Sequence, residues 1–226
     1  MFFDSTFFLL IPVMILAMWS QHKIKKNYSK YAKIKTQKGL TGQEIAKIIL
    51  KKYGINNVSV ESIHGEMTDH YDSRDRTIRL SSNVFNNSSI AALSIAAHEA
   101  GHAIQHHKLY FPLQIRNAIV PVANLGSNLA FPLFFIGFFF LHNKFLMDLG
   151  ILIYFGAVVF SFITLPVEVN ASQRALKILE QEEILVNNEI LGAKQMLSAA
   201  GLTYFAATAM AVMQLVRMLI LRDRNN

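Results

Sequence analysis

The 226-residue sequence contains no cysteine. Disulfide bonds are therefore excluded, and any metal that the protein binds must be held by histidine and carboxylate side chains. Charged residues are also scarce. They make up 16% of the chain, whereas about 25% is usual in soluble domains. Because 52% of the residues are hydrophobic, this shortage of charge favours a membrane protein.

Positive charge is concentrated in residues 22–38. This stretch contains no acid and seven lysines: Lys23, Lys25, Lys26, Lys30, Lys33, Lys35 and Lys38. Such a cluster is compatible with nucleic-acid binding. Here, however, it directly follows an apolar segment, as the cytoplasmic flanks of membrane helices that face anionic lipid do. We therefore expect the lipid bilayer, and no nucleic acid, as a partner, with residues 22–117 in the cytoplasm.

Long apolar runs predict about four transmembrane helices. A helix needs about 20 apolar residues to cross a bilayer, and the segments that qualify are 1–21, 118–141, 146–167 and 196–221. The first segment has Asp4 near its start and Met18 and Trp19 near its end, which favours a retained anchor over a cleaved signal peptide. The last is rich in alanine, and a buried core helix there, leaving three spans, is the alternative. Residues 168–195 then return to the cytoplasmic side.

Residues 22–117 predict a mixture of helices and strands. Thr41 and Glu44 are spaced as a capping box that begins a helix, and Gly54 ends it. Two segments with strand character and one buried helix follow: 58–63, 77–80 and 90–107. Ser88 or Ser89 is the expected N-cap of the buried helix. The expected fold class is therefore a membrane protein, mainly α with a small β-sheet, that carries an α+β cytoplasmic domain.

Residues 98–107 read HEAGHAIQHH and lie in this buried helix. Because residues four apart share a helix face, His98 and His102 point the same way and can hold one metal ion. Glu99 lies beside that position, where a general base belongs in the H-E-x-x-H arrangement of zinc proteases. Chance placement yields this pattern in about 0.01 of such chains, so a histidine-rich helix without metal is less favoured. His106 lies too far along a straight helix to bind the same ion.

A catalytic zinc needs a third protein ligand and an open position. Glu168, where the third apolar segment leaves the membrane, and Asp148 are the two possibilities. An intramembrane site-2-type protease would use an aspartate in a membrane helix such as Asp148. The apolar run before His98 has only about ten residues, too few to cross a bilayer. Glu168 is therefore favoured, with Asp148 as the alternative.

Three stretches together resemble the YugP-type membrane zinc metallopeptidases of bacteria, over almost the whole chain. They read TDHYD at 68–72, HEAGHAIQ at 98–105 and EVNASQRA at 168–175. A more distant similarity is to the HtpX-like and CAAX-prenyl-protease-like membrane gluzincins, in which a glutamate opens a later helix. The resemblance implies one zinc per chain, with His98, His102 and Glu168 as ligands and Glu99 as the catalytic base. Ser172 stands where those relatives carry an aspartate that orients a ligand histidine, so this partner brings no charge here.

The expected activity is hydrolysis of a protein or peptide substrate at the cytoplasmic face of the cell membrane. His70, Tyr71 and Arg174 are possible contacts to the oxyanion or the substrate. The strand 77–80 is either an edge that pairs with an extended substrate or an interior strand. The alternative from another class is a catalytically silent membrane scaffold that contains zinc. Glu99 argues against that alternative, because a structural zinc has no use for a neighbouring base.

Overall fold

A computed structural model describes residues 5–224 of the protein, apart from the side chains of residues 122, 125 and 127. In chain order the elements are a 3-10 helix (Ser5–Leu10), α1 (Ile11–Tyr31), α2 (Gly42–Lys52), β1 (Ser59–Ile63), β2 (His70–Asp72), β3 (Thr77–Ser81), α3 (Ser82–Phe85), α4 (Ile90–His107), α5 (Phe111–Phe135), a π-helix (Ile136–Phe140), α6 (Lys144–Gln181) and α7 (Asn188–Arg224). The prediction of a mainly helical chain with a small β-sheet is confirmed.

The helices α2 and α4 begin where their capping residues predict. The Glu44 carboxylate accepts hydrogen bonds from the backbone N–H and the hydroxyl of Thr41, both at 2.8 Å. At the start of α4, the Ser89 hydroxyl oxygen accepts the backbone N–H of Ala92 at 3.2 Å. Each contact satisfies or orients groups that a helix leaves unpaired in its first turn. The predicted helix 90–107 is confirmed at both ends.

The sheet has the strand order β1-β3-β2. β3 pairs with β1 in parallel, with Ser59 opposite Thr77, and with β2 antiparallel, with Tyr71 opposite Ile78. Of the two alternatives for residues 77–80, an edge strand or an interior strand, the structure supports the interior strand, because β3 is central and both of its sides are paired. The three-residue strand β2 was not predicted, since its sequence His-Tyr-Asp lacks the apolar alternation that marks a strand. β2 and β1 form the two edges of the sheet.

The chain divides into two compact units. We call residues 22–113 and 167–202 the sheet unit, and residues 1–21, 114–166 and 203–226 the helical unit. The core of the sheet unit combines side chains from α2, β3, α4 and the end of α6, among them Ile45, Ile78, Leu93, Ile104 and Leu179, all fully buried. The core of the helical unit includes Ala130, Phe134, Met147 and Met218. The sheet unit contains His98, His102 and Glu168, the three favoured metal ligands, whereas Asp148 lies in the helical unit.

Among residues 5–224, three helical segments are long and apolar enough to cross a membrane: Ser5–Tyr31, Lys144–Gln181 and Asn188–Arg224. They contain the first, third and fourth predicted spans, except that residues 1–4 lie outside the described residues. The second predicted span, 118–141, is not among them. It falls in α5 and the π-helix, where the described apolar segment Asn128–Phe140 is shorter than a span. Length and composition of the described helices thus support three spans, and a fourth stays a prediction.

The region 168–195, predicted as one cytoplasmic helix, consists of two helix ends. α6 continues through Pro166 as far as Gln181, and α7 begins at Asn188. Glu168 therefore lies within a continuous helix of 38 residues. The residues of α6 that follow Glu168 pack on α4, and this packing sets the position of Glu168.

Gly101 permits this packing of α4 against α6. A Cβ atom built on Gly101 would lie 2.8 Å from the backbone oxygen of Ala171, which is inside the normal contact distance. The backbone itself, rather than a flexible side chain, occupies the space. Any larger residue at 101 must therefore push apart the two helices that carry the predicted metal ligands.

We expect Gly101→Ala to destabilise the protein by about 1–3 kcal/mol through overpacking. In an open helix the same change normally stabilises by about 1 kcal/mol. Gly201 in α7 offers a matched control, because a Cβ there meets nothing within 4 Å. Thermal unfolding of the detergent-purified proteins should show a lower midpoint for Gly101→Ala and an equal or higher one for Gly201→Ala. Equal behaviour of the two variants would contradict the close packing.

Candidate metal centre

Two helices of the sheet unit bring three metal-ligating side chains together. His98 and His102 lie one turn apart on α4, and Glu168 comes from α6. The Glu168 Oε2 atom lies 3.2 Å from Nε2 of His98 and 3.4 Å from Nε2 of His102. All three ligand atoms lie within 4.8 Å of one another. The site therefore presents two imidazole nitrogens and one carboxylate oxygen to a common point.

This donor set fits a zinc ion. Zinc binds histidine nitrogen and carboxylate oxygen at about 2.0–2.2 Å in tetrahedral geometry, which places neighbouring ligand atoms roughly 3.3–3.5 Å apart. The two contacts to Glu168 are close to this separation. The side chains of His98, His102 and Glu168 are only 13%, 9% and 2% exposed. A buried carboxylate between two imidazoles is costly unless a cation balances it, so the burial also suits a metal.

Gln105 orients His102. Its side chain is fully buried, and its Oε1 atom lies 3.0 Å from Nδ1 of His102. The Gln105 Nε2 group donates to the backbone oxygen of Val167 at 2.8 Å and to Oδ1 of Asn170 at 3.0 Å. Because the amide nitrogen is occupied as a donor, Oε1 is the acceptor and His102 carries its proton on Nδ1. The Nε2 lone pair of His102 is then directed toward Glu168.

Ser172 makes the corresponding contact to His98. Its hydroxyl oxygen lies 3.1 Å from Nδ1 of His98. When His98 donates its Nδ1 proton to this oxygen, its Nε2 lone pair also faces Glu168. Both histidines are thus held by neutral hydrogen-bonding partners, one from α4 itself and one from α6.

Glu99 lies next to His98 on α4 and is buried. Burial raises the pKa of its carboxyl to about 7, and the nearby Glu168 and Asp69 contribute in the same direction. Strand β2, at one edge of the sheet, packs against α4, the helix that carries this predicted base.

The other predicted contacts are held by partners within the sheet unit. The Nδ1 atom of His70 lies 2.8 Å from the backbone oxygen of Thr68. The Tyr71 hydroxyl lies 2.8 Å from Nδ1 of His106, and burial raises the pKa of Tyr71 to about 12. Tyr71 therefore keeps its proton at neutral pH and can donate it in a hydrogen bond.

Arg174 and Asp148 are also paired. Arg174 donates through Nε to Oδ1 of Asn170 at 2.7 Å, so it extends the network that holds His102. In the helical unit, Asp148 accepts two hydrogen bonds from Arg222, at 2.9 and 3.0 Å. The acid that groups with His98 and His102 is Glu168, which is the arrangement favoured over the Asp148 alternative.

Sequence reasoning missed Gln105 and Asn170. Gln105 follows His102 by three residues, so it lies on the same face of α4, and it is a polar residue in a buried part of that helix. That position is a signal, because polar side chains in a buried helix need internal partners. Asn170 was harder to predict, since two residues after Glu168 it faces a different side of α6, and its contact with Gln105 joins two distant parts of the sequence.

Comparison with known proteins agrees with this site. Residues 6–223 match the family model described as "Putative neutral zinc metallopeptidase". The chain is 44% identical over 222 residues to the protein named "Putative membrane protease YugP" of Bacillus subtilis (strain 168), covering 96% of this chain and 98% of that protein. No solved structure matches the chain significantly. The family match spans both units, and the resemblance to the YugP-type proteins is confirmed: the chain belongs to the family of neutral zinc metallopeptidases that this model describes.

Proposed function

We propose that the protein is an integral-membrane zinc metallopeptidase that hydrolyses peptide bonds at the cytoplasmic face of the cell membrane. His98, His102 and Glu168 bind one zinc ion, and Glu99 is the general base. The observation that carries this proposal is the buried group of two histidines and one glutamate beside a further buried glutamate. The family to which the chain belongs supports the assignment to proteolysis.

Glu99 supplies the proton transfer. A zinc ion in this site would polarise the scissile carbonyl and lower the pKa of an attacking water toward about 7. Glu99 accepts the proton of that water and passes it to the leaving amine.

The number of ligands supports catalysis over a structural role. Structural zinc sites have four protein ligands, whereas catalytic sites have three and leave one position for water or substrate. Among residues 5–224, the metal-binding group contains three such side chains. Glu99 adds a base that a structural site does not need. A catalytically silent scaffold would use neither feature.

The membrane location rests on the apolar helices and on the lysine run. Three helical segments have the length and composition of membrane spans, and the relative from Bacillus subtilis is named a membrane protease. Lysine-rich segments next to a span stay on the cytoplasmic side. Since the run at 22–38 lies in the same unit as His98, we assign the active site to the cytoplasmic face.

The zinc content of the wild type and of single variants distinguishes the proposed zinc ligands from the proposed base. We expect about one zinc per chain in the detergent-purified wild type and in Glu99→Gln, and loss of zinc in Glu168→Gln, because a catalytic zinc depends on each of its three protein ligands. Asp148→Asn is the matched control, since it makes the same carboxylate-to-amide change on the same helix. Elemental analysis gives the result. Zinc that survives Glu168→Gln but disappears with Asp148→Asn would replace this site with the intramembrane alternative.

Proteolysis tests the role of Glu99. In proteoliposomes that contain the zinc-loaded protein, Glu99→Gln should lower cleavage of quenched fluorescent casein by roughly 100-fold or more, the usual contribution of a general base. A chelator should abolish the wild-type activity, and added zinc should restore it. The measurement is the initial rate of fluorescence increase at matched zinc content. A Glu99→Gln protein that cleaves as fast as the wild type would show that Glu99 is not the base.

A further inference from the structure

A small cavity lies next to the proposed base, within the sheet unit. Its volume is about 190 Å³, and its polar lining consists of Asn57, Tyr71, Arg76, His106 and His107. The remaining lining is apolar and includes Ala103 from α4. A cavity of this size accommodates one side chain or a chain terminus rather than a whole peptide.

The polar lining consists of positively charged and hydrogen-bonding groups. It combines a guanidinium, two imidazoles, a phenol and an amide, and it contains no carboxylate. The two acids in the neighbouring hairpin are already paired: Asp72 with Arg74 and Arg79, and Asp75 with Arg79. In the described part of the chain, the side chain of Arg76 has no such acidic partner. Its charge is thus available to a ligand.

Arg76 closes the loop between β2 and β3, immediately before Thr77. Its φ is +56°, in the left-handed region, and in this turn its side chain lines the cavity.

The cavity is connected to the base through Tyr71 and α4. Tyr71 lines the cavity, and its strand β2 packs against α4, the helix that carries Glu99. Ala103 follows Glu99 by one helical turn on the same face of α4, about 6 Å along the axis. The Tyr71 hydroxyl is fixed by His106 at 2.8 Å. A group bound in the cavity would thus lie within one or two residues of a substrate bond next to Glu99.

We propose that this cavity binds a carboxylate of the substrate, either an acidic side chain or the C-terminal carboxylate, with Arg76 as the main determinant. The inference rests on the proposed peptidase function and adds its substrate class. Arginine recognises carboxylates through two parallel N–H donors. The imidazoles of His106 and His107 line the same space and leave the charge of Arg76 uncompensated.

Peptide binding tests this proposal separately from catalysis. Zinc-loaded Glu99→Gln protein is titrated with three fluorescein-labelled Ala/Ser nonapeptides: one with a central Glu and an amidated C-terminus, one with a central Gln and an amidated C-terminus, and one with a central Gln and a free C-terminus. Fluorescence anisotropy gives the dissociation constants. We expect one of the two carboxylate peptides to bind about tenfold more tightly than the neutral peptide, because charge-assisted hydrogen bonds are about twice as strong as neutral ones. The peptide that binds more tightly identifies the source of the carboxylate.

Arg76→Gln in the same background should remove this preference. Lys47→Gln is the control, because it removes one exposed positive charge of the sheet unit outside the cavity. The Arg76 side chain is exposed, so its replacement should leave the unfolding midpoint unchanged. Equal binding of all three peptides, a preference that survives Arg76→Gln, or no peptide binding would each overturn the proposal. Failure of the proposed peptidase function would be recognised separately, as absence of casein cleavage by the wild type while the preference persists.

Discussion

The close approach of α4 and α6 at Gly101 is the contact on which the metal centre depends. α4 carries two histidines and the proposed base, but His106 lies too far along the helix to complete the site. The third proposed ligand comes from α6, and the backbone of α6 reaches α4 only because residue 101 has no Cβ. Glu168 and Ser172 lie on either side of Ala171, which is the point of contact. This one packing contact thus sets the positions of both Glu168, the proposed ligand, and Ser172, the partner that orients His98.

Hydrogen bonds around the metal centre prepare it for a cation. Gln105 and Ser172 occupy the Nδ1 atoms of the two histidines, which leaves both Nε2 atoms facing the Glu168 carboxylate. Every polar group of Gln105 has a partner, as expected for a fully buried amide. Neutral partners increase the basicity of a ligand histidine less than a carboxylate does. The proposed zinc site therefore relies on Glu168 for its negative charge.

Part of this structure could be predicted from the sequence, for physical reasons. Helix α4 has a serine N-cap and an apolar surface, and both signals are local. The pairing of His98 with His102 follows from helix geometry alone. Glu168 required a non-local argument, namely which side of the membrane each segment occupies.

Other features depend on partners that are distant in the sequence. β2 has three residues and no apolar alternation, and it exists because β3 offers a free side for pairing. Gln105 gained its role from Val167 and Asn170, which lie more than 60 residues away. The cavity around Arg76 is lined by residues of β2, of a turn and of the end of α4, so no single stretch of the sequence predicts it.

The measurement that tests the central claim most directly is X-ray absorption at the zinc edge of the purified protein in detergent. The account predicts a first shell of nitrogen and oxygen only, at about 2.0–2.2 Å, with multiple scattering from two imidazoles. The remaining scatterers should be the carboxylate of Glu168 and a light atom at the open position. Multiple scattering from three or four imidazoles would contradict the account, because it would require His106 or another histidine in place of Glu168.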